Sequence, residues 1–292
     1  MGNNLWGHGE TVMTMSADAA QDKLLTCGWG EDAHLLSLPD YREIQVFRGH
    51  ASPLGAACLS QDGASAVTGE QDGHLTLWNC DSGERLATAS HPTVLESLLL
   101  LGDGRVLSYG RGRLCVWSRN LAPIEVRETG LEGLGRLAFG GSGEALSVVL
   151  GVYQAIHFFD ANLSEVGSGP VALPRDISAL TVAAGGECAY AGTEEGFVIA
   201  AQREGSLNVR ELDNGCDIIN IAGLSDGGFV TVDDEGRVRQ WSGPDLELVA
   251  EAEIEVYSHA FCVLERHDLV ISSNGESGKE VSLAGLRGRV SK

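Results

Sequence analysis

Lysine is nearly missing from this chain: Lys23, Lys279 and Lys292 are the only three among 292 residues. Lys and Arg together number 20 against 41 Asp and Glu, a formal net charge of −21 at pH 7, so no general positive field exists to hold duplex nucleic acid or an anionic membrane. No run of the sequence approaches the ~18 consecutive apolar residues of a membrane-spanning helix, which argues against membrane insertion. Residues Met1 to Trp6 lack the basic start and apolar stretch of a secretion leader, so the sequence predicts an intracellular, cytoplasmic protein, with the nucleus as the alternative in a eukaryote. The seven cysteines (Cys27, Cys58, Cys80, Cys115, Cys188, Cys216, Cys262) are scattered singly with no Cys-x-x-Cys pair. That spacing excludes a zinc knuckle and a disulfide framework and predicts buried thiols.

Catalytic signatures are missing as well. No Walker loop, His-Glu-x-x-His or nucleophile elbow is present, and the glycine pairs Gly133-Leu134-Gly135 and Gly141-Ser142-Gly143 lack the strand-to-helix setting of a dinucleotide site. The pairs His267-Asp268 and Asp32/His34 fall at turns or alternating strand positions and read as surface or structural groups. The reading is therefore a non-enzyme with no cofactor and no metal.

Glycine is plentiful. There are 39 glycines without a Gly-X-Y period, which suits many tight turns between short strands, and 43% hydrophobic residues supply a core. Segment 68–79, Thr-Gly-Glu-Gln-Asp-Gly-His-Leu-Thr-Leu-Trp-Asn, reads as a strand end, an acidic turn and a strand closing on Trp78. The same pattern recurs with its last position at Leu38, Trp78, Trp117, Phe159, Ala201, Trp241 and Leu283, in steps of 39 to 42 residues. Further turns precede and follow each anchor, as at Ser60–Gly63 and Asp81–Gly83, so each unit reads as four antiparallel strands.

A repeat of this length, opening on Gly49-His50 and closing on Trp78-Asn79, resembles the WD-repeat β-propeller family. The resemblance implies an all-β, seven-bladed β-propeller with four antiparallel strands per blade, forming one domain over residues 1–292. Blades fall near 7–48, 49–90, 91–129, 130–170, 171–212, 213–253 and 254–292, and either residues 1–6 or 287–291 close the last blade. It also implies a structural tetrad of His50, Thr68, Asp72 and Trp78, in which the Asp accepts from the imidazole and the imidazole meets the hydroxyl and the indole.

The turn between the second and third strands is acidic in five blades: Glu31 and Asp32, Glu70 (with Asp72), Glu194 and Glu195, Asp233, Asp234 and Glu235, and Glu276. Blade three carries Arg111 and Arg113 there, and Tyr153 and Tyr257 are the candidate aromatic contacts. These residues predict a partner-binding rim that is mostly negative with one basic sector. The leading function is a protein-interaction scaffold, a monomeric propeller within a hetero-complex, binding one or more proteins through their basic segments. The alternatives are a recognition module for basic, histone-like peptides and a propeller hydrolase or lyase.

Overall fold

The computed structural model describes residues 11–130, 135–141, 147–212, 215–254, 260–274 and 277–283. Seven antiparallel sheets follow one another along the chain, each an up-and-down meander, and together they make a seven-bladed β-propeller fold. The first sheet holds β1 (Val12–Ala17), β2 (Lys23–Gly28), β3 (Ala33–Ser37) and β4 (Glu43–Phe47). The second holds β5 (Leu54–Leu59), β6 (Ser65–Glu70), β7 (His74–Asn79) and β8 (Arg85–Ser90). The third holds β9 (Ser97–Leu100), β10 (Val106–Gly110), β11 (Arg113–Trp117) and β12 (Pro123–Glu128). The fourth holds β13 (Gly135–Gly140), β14 (Ser147–Val152), β15 (Ala155–Phe159) and β16 (Val171–Ala172), and the fifth holds β17 (Ile177–Val182), β18 (Cys188–Thr193), β19 (Phe197–Gln202) and β20 (Leu207–Glu211). The sixth holds β21 (Ile218–Gly223), β22 (Phe229–Asp233), β23 (Arg237–Trp241) and β24 (Leu248–Glu253), and the seventh shows β25 (Phe261–Leu264), β26 (Leu269–Asn274) and β27 (Ser277–Ser282) among the described residues. Residues 1–6 and 287–291, the two segments expected to compete for closing the last blade, lie outside the described residues.

The chain divides into two compact units, one of Met1–Gly135 with Ser272–Gly278 and one of Arg136–Ile271 with Lys279–Lys292. In the first unit, Leu25, Leu35 and Phe47 of blade one pack on Leu54, Leu59 and Trp78 of blade two, and Val67 and Leu75 of blade two share a core with Leu98, Val106 and Trp117 of blade three. In the second unit, Phe158 and Val149 meet Ala189 and Ile199; Tyr190 meets Phe229 and Trp241; and Val230 and Val238 meet Val270 and Leu283. Sequence and position agree closely in this layering. The second strands β14 and β18 are apolar or small throughout and buried at every residue, because a neighbouring sheet covers each face. The outer strands β12 and β20 alternate apolar with charged or polar residues and are almost wholly exposed.

Blade four departs from the regular repeat. Its outer strand is only Val171–Ala172, because the preceding Gly167, Gly169 and Pro170 deny the ladder both side chains and a backbone donor. Within the first unit, the Ser273 hydroxyl of β26 donates to the Val12 carbonyl of β1 at 3.0 Å, tying the seventh sheet to the first.

Spacing along the second strands is stricter than the anchors suggest. Gly28, Gly69, Gly110, Gly151 and Gly192 stand a constant 41 residues apart, and at Gly192 an added Cβ would lie 2.2 Å from Ile218 of the next blade. Gly73 has a different reason. Its φ is +101°, and a Cβ there would meet the carbonyl oxygens of Thr93 and His91 at 2.6 and 2.7 Å. Gly73→Ala is expected to lower stability by about 1–3 kcal/mol, measured as a shift in the denaturant midpoint.

Candidate functional site

The second strand of blade two places Thr68 directly opposite Thr76, two residues before Trp78. From there the Trp78 indole N–H donates to Thr68 Oγ1 at 2.9 Å, and His50 Nε2 lies 2.8 Å from the same oxygen. His50 Nδ1 is 2.6 Å from the carbonyl of Glu31 in the preceding blade. A carbonyl can only accept, so Nδ1 carries a proton toward Glu31, and the Thr68 oxygen receives the indole proton while lying against Nε2. Each polar side-chain atom of this His50, Thr68 and Trp78 group then has a partner.

Asp72, expected to complete this group, stands elsewhere. Its carboxylate accepts from the His74 backbone N–H at 3.2 Å and pairs with the His74 imidazole at 3.0 Å on an exposed turn. The buried acceptor for His50 is a main-chain carbonyl, which needs no charge to be desolvated. Glu70 serves the same loop from inside: it is 5% exposed and its carboxylate accepts from the backbone of Ala51 and Ser52, each at 2.8 Å.

Blade three repeats the arrangement. Trp117 donates to Ser108 Oγ at 2.8 Å, and His91 Nδ1 is 2.8 Å from that oxygen. The hydroxyl sits nine rather than ten residues before its tryptophan, because the turn between β10 and β11 has two residues where that between β6 and β7 has three. Register keeps it in place: Ser108 faces Cys115, two before Trp117. The shortened turn hid this group from a search at fixed spacing.

Blade six keeps the indole bond, Trp241 to Thr231 at 2.9 Å, and adds charge. Asp233 ends the second strand in the register position of Glu70 in blade two, is fully buried, and binds Arg239 at 2.7 Å; Arg239 also binds Glu251 at 2.7 Å. The other Asp233 oxygen accepts from the backbone of Arg237 and Glu235 at 2.8 and 3.2 Å. Glu70 and Asp233 are therefore internal groups, and neither belongs to a partner-facing rim.

The remaining acidic residues are on the surface. In the second unit Glu194, Glu195, Asp234 and Glu235 are exposed on the turns of blades five and six. Asp217 links those turns: its carboxylate accepts from the Glu195 N–H and its carbonyl from the Asp234 N–H, both at 2.9 Å. Arg175 pairs with Glu195 and Arg237 with Glu235, each at 2.7 Å. Burial, reinforced by Glu235, Asp233 and Asp234, pushes the neighbouring Cys216 thiol up to about 11.

In the first unit Glu31 is exposed and Asp32 is half-buried and paired with Arg48 at 3.2 Å. The same turn carries Trp29, 59% exposed, which the sequence reading passed over because it is not at a strand-end anchor. Arg111 is exposed, Arg113 is paired with Glu128 at 2.8 Å, and Tyr153 is 53% exposed. Glu276 and Tyr257 lie outside the described residues.

Reactive chemistry is not assembled at these places. Among the described residues no three His, Cys, Asp or Glu side chains come together to hold a metal ion. Burial pushes the Cys58 and Cys80 thiols up to about 12 and those of Cys115 and Cys188 up to about 11, away from the thiolate form a nucleophile needs. A groove of about 380 Å³ between blades two and three is lined by Leu77, Leu86, Leu100 and Leu101 with Asp62 and Arg119 at its edge. No helix of the described residues is long and apolar enough to cross a membrane.

The fold and its internal hydroxyl groups define a seven-bladed β-propeller. A solved structure of U3-55K superposes with a TM-score of 0.78 over 92% of this chain and 89% of that one, at 15% identity, which is a likeness of fold. In sequence, the chain is 28% identical over 107 residues to the U3 snoRNP-associated protein-like EMB2271 of Arabidopsis thaliana. That stretch is 36% of this chain and spans 22% of the relative's length. No protein-family model matches the chain.

Two tests follow from the internal groups. Thr68→Val strands the Trp78 and His50 nitrogens and should cost about 1–3 kcal/mol in denaturant unfolding, whereas Thr68→Ser should stay near the wild type. Burial holds the His91 imidazole below its ordinary value, with Arg113 adding to the effect. The unfolded chain therefore binds this proton more readily, so stability is full above the ordinary histidine range and is lost as pH falls through it. His91→Gln should flatten the dependence of the denaturant midpoint between neutral and mildly acidic pH.

Proposed function

We propose that this chain is a WD-repeat propeller acting as a non-catalytic scaffold, one subunit of a larger hetero-complex, that binds a basic segment of a protein partner through its acidic turns. The observation that carries this reading is the exposed group Glu194, Glu195, Asp234 and Glu235, held in register through Asp217. Glu31 and Asp32 extend the acidic surface in the first unit. In blade six the buried Thr231–Trp241 bond fixes the strands from which Asp234 and Glu235 project, and Asp217 ties the blade-five turn to them, so these carboxylates are presented at little entropic cost.

The likeness to a protein named for association with the U3 snoRNP supports a place in a ribonucleoprotein assembly. On this reading the chain lives where such an assembly lives, in the nucleus rather than the cytoplasm. Its charge of −21 favours a protein component over the RNA as the direct contact. The family's internal pattern is carried by His50, Thr68 and Trp78.

Affinity capture from extract at low salt, with elution as salt rises, tests the proposal. A basic protein should elute early, and reversing Glu194, Glu195, Asp234 and Glu235 to Lys should weaken its binding by about tenfold or more, mainly through slower association. Binding that ignores both salt and charge reversal, or direct capture of RNA by the purified chain, rejects it.

A further inference from the structure

Three tryptophans of the described residues are internal: Trp78, Trp117 and Trp241 are 3%, 5% and 1% exposed, and each donates its indole N–H to a buried hydroxyl. Trp29 is 59% exposed on the turn between β2 and β3. Leaving so large an apolar ring in water has a cost.

The turn that carries it is fixed. The Trp29 N–H donates to the Thr11 carbonyl at 3.2 Å, the Gly30 carbonyl accepts from Leu54 at 3.4 Å, and the Glu31 carbonyl is held by His50 at 2.6 Å. The ring is thus presented on a backbone pinned to Thr11 just ahead of the first strand, to blade two and to the hydroxyl group of that blade. Pre-organised, exposed tryptophans are the residues from which binding hot spots are made.

The molecule itself shows what such a ring takes. Arg85 lies over the Trp78 ring at 5.2 Å, and Arg210 lies over the Trp241 ring at 5.2 Å. Both arginines also donate to a backbone carbonyl, Gly49 and Leu246 respectively. Trp29 has an indole face and, two and three residues on, the carboxylates of Glu31 and Asp32, but no arginine of the described residues stacks on it. Charge complementarity selects the missing group.

We infer that Trp29, with Glu31 beside it in sequence, is a docking point for an arginine side chain of the partner's basic segment, the guanidinium stacking on the indole and pairing with the carboxylate. Arginine is favoured over lysine because its planar group can stack and bind a carboxylate at the same time. This inference rests on the proposed basic partner and names the contact that would recognise it.

The experiment measures calorimetric affinity of the full chain for a peptide of alternating arginine and glycine, and for matched peptides with citrulline or lysine. The wild type should bind the arginine peptide most tightly and the citrulline peptide hardly at all. Trp29→Ala, which leaves the net charge untouched, should weaken arginine-peptide binding by about three- to thirtyfold, and Trp29→Phe should recover most of the loss. Equal binding by wild type and Trp29→Ala overturns the inference while leaving the acidic-turn proposal standing. Equal affinity for arginine and citrulline peptides shows an apolar contact and overturns it, as does a concentration-dependent dimer abolished by Trp29→Ala, which would assign the ring to a second copy. Failure of the wild type to bind any basic peptide defeats both.

Discussion

The architecture depends on one arrangement, a hydroxyl of the second strand that receives an indole N–H from the third. In blades two, three and six Thr68, Ser108 and Thr231 do this at 2.8–2.9 Å. The oxygen is buried between sheets, where an unpaired donor or acceptor is costly, so the bond fixes the relative shift of two strands as firmly as a core side chain does. In blades two and three a histidine from the connecting loop meets the same oxygen and fixes the loop as well. Local sheet register is thereby converted into the position of the surface turns.

Charge is partitioned by the same logic. Of the acidic residues near these turns, Glu70 satisfies loop amides and Asp233 neutralises Arg239, and both are withdrawn from solvent. Glu194 and Asp234, one step along the chain in their own blades, face water. The acidic turns therefore hold two kinds of carboxylate: one that builds the blade, as Glu70 and Asp233 do, and one that stays in water. Mutating the first kind disturbs folding, whereas the second kind carries the proposed recognition.

Much of the fold was legible in the sequence. Constant spacing of strand-closing residues gave seven units, and alternation around glycine turns gave the strands; β5 runs from Leu54 to Leu59 just as its apolar run does. What sequence periodicity cannot express is a compensating change. Blade three lost one turn residue and kept its hydroxyl opposite Cys115, so the group survives in space while failing at fixed spacing. Asp72 sits where the WD pattern places an aspartate, yet a carbonyl from the neighbouring blade fills its role, a contact that only the fold brings together. Trp29 stood outside the repeat pattern, and its exposure could be read only from the packing that fails to cover it.

The bond from Ser273 to Val12 spans 261 positions of sequence. During synthesis the strand that offers this carbonyl emerges long before the strand that supplies the hydroxyl, and until then its edge has no such partner. Blades two and three can form in the meantime from contacts close in sequence, since each is a meander. The first sheet is a meander too and packs on blade two, but its contact with the seventh sheet is of very high sequence separation, the kind of contact that forms slowly. Closing a loop of that length costs chain entropy that the local hairpins of each blade do not.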